Sequence, residues 1–124
     1  MKLSLVVPCF NEAENVALFH DAVMNAFDGC GYDYEIVFVD DGSRDATIFQ
    51  LKKLFKEQKC PVKVVSFSRN FGKEAAMYAG FTHASGDYVA VMDADLQDSP
   101  DEIPPMRRMI LEEGYDLVSG WKKK

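Results

Sequence analysis

Two aspartates stand two residues apart where an apolar run of the chain ends. Asp93 and Asp95 close the segment 88–92, which has the composition of a buried strand. In an extended chain, positions i and i+2 point to the same side, so both carboxylates can face one small polar volume. Neighbouring anions repel each other unless a cation lies between them, and Mg2+ or Mn2+ is commonly held by carboxylates together with substrate phosphates. The pair therefore predicts a site for a metal-bound phosphate ester.

A second acidic segment, Asp40-Asp41-Gly42-Ser43, follows another predicted strand. One of its carboxylates could accept hydrogen bonds from a nucleobase N–H or from ribose hydroxyls, while Gly42 permits a sharp turn. A turn followed by a helix cap is the alternative, because Asp, Gly and Ser favour turns for backbone reasons. Its position at a strand end equivalent to that of the first acidic pair favours the ligand-binding interpretation.

Two more predicted strand ends carry candidate ligand-binding residues. The flat ring of Phe10 could lie against a nucleobase, and Glu12 could reach the base or ribose, or could instead be a first-turn residue that complements a helix dipole. Asn11 and Glu14 have the spacing of a helix N-cap and its N3 partner. The segment 68–73 contains two cations that could meet a phosphate or a carboxylate, with a solvated loop as the alternative.

Composition limits the classes of function. With 124 residues, 48% of them apolar, the chain can form one domain with a buried core. A net charge of -6 opposes nonspecific binding to nucleic acid or to an anionic bilayer, so a polyanionic ligand would need a metal or local dipoles. The three cysteines lack Cys-x-x-Cys spacing and favour free thiols in a reducing cytosol. No apolar run approaches the ~20 residues of a membrane helix.

The histidines predict no catalytic pair. His20 and His83 lie in helical segments without a matched partner, so we expect them at the surface or with their hydrogen bonds satisfied internally. The spacing of residues indicates no Ser-His-Asp or Cys-His pair, and there is no Gly-rich phosphate loop.

Short β-branched runs alternate with segments of helical period. The predicted strands cover residues 3–7, 35–39, 62–67 and 88–92. Apolar residues form two helical stripes between the first three strands: Val16, Phe19, Val23, Ala26 and Phe27, then Ile48, Leu51, Leu54 and Phe55. We expect a third helix from about 73 to 84, a further helix after Ser99 and a short closing strand at 116–119. Such alternation predicts parallel strands, right-handed crossovers and helices on both faces, with ligands beyond the carboxyl ends of the strands.

In order and spacing, four motifs resemble family-2 glycosyltransferases of the A-type fold. They are Pro8-x-Phe10-Asn11-Glu12, Val39-Asp40-Asp41-Gly42-Ser43, Asn70-Phe71-Gly72-Lys73 and Asp93-Ala94-Asp95-Leu96-Gln97-Asp98. Within that family they are most similar to polyprenyl-phosphate glycosyltransferases. The resemblance implies a Rossmann-like three-layer α/β/α fold with a mainly parallel central sheet. Because family members usually continue well past Trp121, we expect residues 1–124 to be the nucleotide-sugar-binding, N-terminal part of a catalytic domain, truncated at its C-terminus.

The resemblance also implies a reaction and its site. A hexose would pass from a nucleoside-diphosphate sugar of the UDP-glucose or GDP-mannose type to a polyprenyl phosphate, with Mg2+ or Mn2+ and with inversion. Asp93 and Asp95 are then the catalytic metal ligands, and Gln97 helps to organise the metal and the diphosphate. Lys122 stands where a basic residue often approaches the acceptor phosphate. The other donor-binding residues are Pro8, Phe10, Glu12, Val39, Asp41, Met92 and Ala94.

Three alternatives remain at the level of the sequence. One is a nucleotide-sugar-binding module without catalysis, and another is a family-2 enzyme with a saccharide acceptor for cell-wall or surface polysaccharide. A receiver domain has similar alternation, but its acidic pair should follow the first strand, where this chain has Pro8-Cys9-Phe10. The thiols favour the cytoplasm, and the resemblance implies attachment to the inner face of the cell membrane through further C-terminal sequence.

Overall fold

The computed structural model describes residues 2–28 and 33–94. Strands and helices alternate along them: β1 (Lys2–Cys9), α1 (Val16–Phe27), β2 (Asp33–Asp40), α2 (Thr47–Glu57), β3 (Val62–Ser66), α3 (Lys73–His83) and β4 (Tyr88–Val91). The predicted strands and the helices between them are confirmed, with bounds that shift by about two residues at most. The helix predicted after Ser99 and the closing strand predicted at 116–119 lie outside the described residues.

The strands form one parallel sheet in the order β3-β2-β1-β4. The register pairs Cys9 with Asp40, and Asp40 with Ser66, so the strands end side by side. Because all the carboxyl ends lie at one edge of a parallel sheet, the loops that follow β1, β2, β3 and β4 gather there. The sheet thus places the polar segments singled out in the sequence next to one another.

Helices cover both faces of the sheet, as predicted. On one face α1 and α2 pack against strand residues such as Phe38, whose ring meets that of Phe19 edge to face with centroids 6.2 Å apart. On the other face α3 brings Ala76 onto Val6 and Val37. The three-layer α/β/α prediction is therefore confirmed for the described part of the chain.

One residue of the predicted helical stripes is misplaced. Leu51 and Leu54 are buried, whereas Phe55 is 52% exposed. The buried side of α2 runs through Thr47, Leu51 and Leu54. Each residue advances about 100° around a helix, so Phe55 falls at the flank of this side and faces solvent.

The predicted cap of the first helix is also wrong. Helix α1 has Asn15 at its N-cap, and Asn15 N–H donates a hydrogen bond of 2.9 Å to the carbonyl of Glu12 in the preceding turn. That turn separates Asn11 from the helix. Asn11 adopts a φ of 54° and its Oδ1 accepts a hydrogen bond of 2.8 Å from the backbone N–H of Arg44. The side chain thereby joins the loop after β1 to the loop after β2.

At the amino edge of the sheet, Glu35 is only 1% exposed and carries a dense set of partners. Its Oε2 accepts hydrogen bonds from Ser4 Oγ at 2.6 Å and from Ser85 N–H at 2.7 Å, and its Oε1 lies 3.1 Å from Lys63 Nζ. Burial opposes ionisation, but the hydrogen bonds from Ser4, Ser85 and Lys63 outweigh it and lower the pKa of the Glu35 carboxyl to about 2. This carboxylate ties β1, β2 and the segment before β4 together.

Among residues 2–28 and 33–94, none of the helices has the length and apolarity needed to cross a bilayer.

Candidate donor-binding cleft

A cleft of about 180 Å³ opens at the carboxyl edge of the sheet. Its described lining consists of Pro8, Cys9, Phe10, Glu12, Asp41, Lys73 and Asp93. Residues predicted from three different strand ends therefore meet in one volume. The parallel register explains this convergence, because β1, β2 and β4 end at the same edge.

Asp41 is buried in the cleft wall and organises the loop that follows β3. Its Oδ1 accepts a hydrogen bond of 2.8 Å from Phe71 N–H, and its Oδ2 accepts bonds of 3.1 Å from Gly72 N–H and from Asn70 Nδ2. Its own N–H donates to the carbonyl of Cys9 at 2.8 Å. Asp41 thus joins the ends of β1 and β2 to the start of α3, through its backbone on one side and its carboxylate on the other, a role that the sequence did not reveal. Its contact with a base or ribose stays a prediction.

Asp40 and Gly42 form the turn that was the alternative interpretation of this segment. The Oδ1 of Asp40 accepts a hydrogen bond of 3.1 Å from the backbone N–H of Ser43, three residues further along the chain, and so closes the turn. Gly42 has a φ of 71°, and a Cβ at this position would lie 2.2 Å from the carbonyl carbon of Arg69. The loops after β2 and β3 therefore touch backbone to backbone at Gly42.

Asp93 follows β4, and Lys73 is the first residue of α3. Lys73 Nζ donates a hydrogen bond of 2.9 Å to Asp93 Oδ1, with side-chain exposures of 49% and 36% respectively. The sequence allowed the cations of segment 68–73 to meet either a phosphate or a carboxylate. In the structure one of them meets the carboxylate.

The pKa of the Cys9 thiol, which lines the floor of the cleft, indicates the sign of the electrostatic potential there. Burial raises the pKa of this thiol well above its usual range, and the carboxylates of Glu12, Asp40 and Asp93 raise it further. These three carboxylates act on one point because the ends of β1, β2 and β4 converge there. The cleft floor therefore favours a cation.

The metal prediction is only partly represented in the described residues. Within residues 2–28 and 33–94, no group of three or more His, Cys, Asp or Glu side chains could hold a metal ion. Asp95, Gln97 and Lys122 lie outside these ranges. Asp93 contributes one hard oxygen donor to a negatively charged cleft, which fits Mg2+ or Mn2+ because such ions complete their shell with water and substrate phosphates.

Three predicted donor-binding residues lie beneath the surface of this edge. Val39, Met92 and Ala94 are buried, and Val39 packs in the core under α3. They support the rim from below, and their contact with a donor stays a prediction.

A second cavity of about 460 Å³ lies beside the cleft, and Phe10 belongs to the lining of both. Its other lining residues are Asn11, Gly42, Ser43, Arg44, Ser68, Arg69 and Asn70. Sequence reasoning missed Arg44 because nothing in its local pattern links it to Phe10. The hydrogen bond between the Arg44 N–H and Asn11 Oδ1 brings the loop after β2 next to Phe10, and only this contact between the two loops would have indicated Arg44.

A buried His-Cys contact also escaped the sequence analysis. His20 Nε2 lies 3.4 Å from Cys60 Sγ, although the two residues are 40 positions apart. Burial raises the pKa of the Cys60 thiol, which disfavours a reactive thiolate. His20 is thus an internally satisfied histidine, and His83 lies at the surface, as predicted.

Comparison with known proteins agrees with this geometry. The chain is 48% identical over 118 residues to the bactoprenol glucosyl transferase of Shigella phage SfV, covering 95% of this chain and 38% of that protein. It is 40% identical over 123 residues to the dodecaprenyl-phosphate galacturonate synthase of Rhizobium johnstonii, covering 99% of this chain and 36% of that protein. The chain thus spans little more than a third of the length of these relatives.

A solved structure supports the fold. The mannosyltransferase of Pyrobaculum calidifontis, determined in complex with GDP-Man and Mn2+, aligns with a TM-score of 0.76 at 23% identity, over 89% of this chain and 32% of that one. Residues 4–124 match the family described as Glycosyl transferase family 2. The family resemblance is therefore confirmed and the receiver-domain alternative is wrong. With its parallel sheet, its cleft at the carboxyl edge and this match, the chain belongs to glycosyl transferase family 2.

Proposed function

We propose that this chain is the donor-binding part of an enzyme that transfers a hexose from a nucleoside-diphosphate sugar to a polyprenyl phosphate. The carrying observation is the meeting of Phe10, Lys73 and Asp93 in one cleft at the carboxyl edge of the sheet. An aromatic ring, a cation and a metal-binding carboxylate are what a base, a diphosphate and its counterion require. The names of the phage and Rhizobium relatives support a polyprenyl-phosphate acceptor.

The nucleoside of the donor lies against Phe10 in this proposal. The ring is 44% exposed and lines both the cleft and the neighbouring cavity, so it is accessible to a base. Glu12 lines the same cleft and can accept hydrogen bonds from ribose hydroxyls or base N–H groups. The buried Asp41 also lines the cleft and fixes the backbone just before Lys73 through hydrogen bonds from Phe71 and Gly72.

The chemistry centres on the diphosphate that leaves the sugar. A divalent ion, when bound, offsets the negative charge that grows on this leaving group. Asp93, Asp95 and Gln97 would hold that ion, and Lys73 adds a positive charge to the same cleft. A lipid phosphate is already ionised at neutral pH and can attack the anomeric carbon without a dedicated base. Direct displacement inverts that carbon, and a product with net retention would contradict this step.

Two further parts of the proposal rest on the relatives. Residues 1–124 form the N-terminal, nucleotide-sugar-binding part of a catalytic domain, and Lys122 approaches the acceptor phosphate. Attachment to the inner face of the cell membrane would come from further C-terminal sequence.

Isothermal calorimetry with UDP-glucose and GDP-mannose, each with and without Mn2+, tests the donor site. We expect one donor to bind only with Mn2+, and Asp93→Asn to weaken that binding about tenfold or more, because it removes a charged oxygen ligand. Asp33→Asn is the matched control, since it removes the same charge at the exposed amino edge of the sheet. Binding that ignores Mn2+, or equal losses in both variants, would contradict the proposal.

A further inference from the structure

The carboxylate that is proposed to hold a metal ion, that of Asp93, already forms an ion pair with the ammonium group of Lys73. Lys73 Nζ lies 2.9 Å from Asp93 Oδ1, and both side chains line the cleft. The pair links the first turn of α3 to the end of β4, which are 20 residues apart in the chain. A cation that binds Asp93 must therefore share this oxygen with Lys73 or displace its ammonium.

The ion pair between Lys73 and Asp93 is itself weak. The two side chains are 49% and 36% exposed, and ion pairs with such access to water are weak. The backbone beside Lys73, in contrast, is held firmly, because Phe71 N–H and Gly72 N–H donate to the buried Asp41. The backbone at Lys73 is thus fixed, whereas its four-carbon side chain can change rotamer. The ammonium can therefore move within the cleft without moving α3.

The charges that line the cleft indicate which group the Lys73 ammonium would contact after it leaves Asp93. Among the described residues that line the cleft, Lys73 carries the only positive charge, against the carboxylates of Glu12, Asp41 and Asp93. The diphosphate of a nucleotide sugar carries two negative charges and gains a third as the sugar leaves, so one divalent ion does not offset the whole charge of the departing nucleoside diphosphate. The ammonium released from Asp93 is the nearest group in the described lining that can meet it.

We propose that Lys73 is a donor-binding residue with two successive partners, Asp93 before the donor binds and the donor's diphosphate afterwards. The inference rests on the proposed function for the metal ion at Asp93 and deepens it. Lys73 competes with the divalent ion when that ion binds alone and assists it when the diphosphate is present. Replacing a residue with a purely structural role would not shift these two affinities in opposite directions.

The test compares Lys73→Met with the unchanged 124-residue chain in two titrations. Binding of Mn2+ alone, followed by electron paramagnetic resonance of the free ion, should become about threefold tighter, because Asp93 is released from its ion pair. Binding of UDP or GDP at saturating Mn2+, followed by calorimetry, should become about tenfold weaker, because a charge-assisted hydrogen bond is lost. Opposite changes in the two affinities are the signature of the exchange.

Two more variants complete the experiment. Lys52→Met removes the same charge from the exposed side of α2 and should change neither affinity. Lys73→Arg keeps the charge and should restore most of the nucleotide affinity. If Lys73→Met changes neither affinity, or shifts both in one direction, the inference is wrong while the donor site stands. If the unchanged chain binds no nucleotide with Mn2+, the donor site and this inference both fail.

Discussion

The adjacent aspartates at the end of β2 divide two tasks between them. Asp40 accepts a hydrogen bond from Ser43 N–H and closes its own turn, whereas Asp41 reaches across to Phe71 and Gly72. In the sequence the two residues look equivalent. Their partners differ because Asp40 serves its own loop and Asp41 serves a loop about 30 residues away, and only the assembled sheet reveals the second partner.

A buried carboxylate at the other edge of the sheet gives a prediction at the scale of one residue. Glu35→Gln should lower the free energy of unfolding at pH 7 by on the order of 3 kcal/mol, because the pKa of Glu35 lies well below its ordinary value and the charge is stabilised by the fold. Denaturation in urea at several pH values measures this loss.

The pH dependence identifies the cause. The folded pKa is about 2 against an ordinary 4.5, so the stabilisation is present above pH 4.5 and is lost as the pH falls towards 2. The gap between the unchanged chain and Glu35→Gln should therefore narrow over that interval. Glu57→Gln, at the exposed end of α2, is the control and should show almost no gap. A gap that stays constant down to pH 2 would rule out this account.

At the scale of elements, the strands and helices could be predicted because each has a repeating pattern of apolar residues. Features that depend on a contact with another segment of the chain were missed. Continuous apolar runs identified the strands, and the helical stripes identified α1 and α2, because burial on both faces of the sheet requires those patterns. The flank of α2 at Phe55 and the cap at Asn11 were misjudged. Each depends on the neighbouring loop or helix, which local spacing does not encode.

The close packing of α3 gives a prediction for an element. Gly80 faces β1, and a Cβ at this position would lie 2.2 Å from Val6 Cγ1. Helix propensity alone would favour Gly80→Ala by about 1 kcal/mol. We expect instead a loss of about 1–3 kcal/mol in the free energy of unfolding, because Val6 is fully buried and its branched side chain has little room to rotate. Thermal or urea denaturation gives the sign.

A second substitution isolates the clash. Val6→Ala combined with Gly80→Ala should be more stable than the sum of the single effects predicts, because truncating Val6 makes room for the new methyl group. Tyr78→Ala, on the exposed side of α3, is the control for a substitution in this helix. Additive effects of the first two changes would show that the clash is not the cause.

At the scale of the whole molecule, the parallel sheet separates binding from stability. The donor cleft lies at the carboxyl edge and the Glu35 network at the amino edge, with strands such as β2 between them. Glu35 and Asp40 are five residues apart on β2, and this length of extended chain covers about 17 Å. The Glu35 network and the donor cleft therefore have no shared contacts.

This separation predicts two independent sets of mutational effects. Glu35→Gln should leave nucleotide affinity within about twofold while it lowers stability, because distant sites couple weakly. Asp93→Asn should do the reverse and leave the free energy of unfolding within about 0.5 kcal/mol, because its side chain is half-exposed. Calorimetry and urea denaturation on both variants measure the pattern. A large stability loss in Asp93→Asn would show that the two edges are not independent.

Much of the candidate cleft could be predicted for one topological reason. Parallel strands end at the same edge, so the residues that follow β1, β2 and β4 had to meet, and Phe10, Glu12, Asp41 and Asp93 do. The partners within the cleft could not be predicted. The contact between Lys73 and Asp93 depends on how the loop before α3 is fixed by Asp41, and that hydrogen-bonding pattern has no trace in the local sequence.

The backbone contact at Gly42 limits how this edge of the molecule can change. Any side chain there would wedge the neighbouring main chain at Arg69 outward, and with it the wall that Asp41 holds. Side chains on either side of the contact, such as Arg44 and Ser68, face the cavity without this restriction. Substitution of the flanking residues can therefore give new ligand preferences. Substitution of Gly42 itself, where the two loops touch, would push the loops apart and widen the cavity.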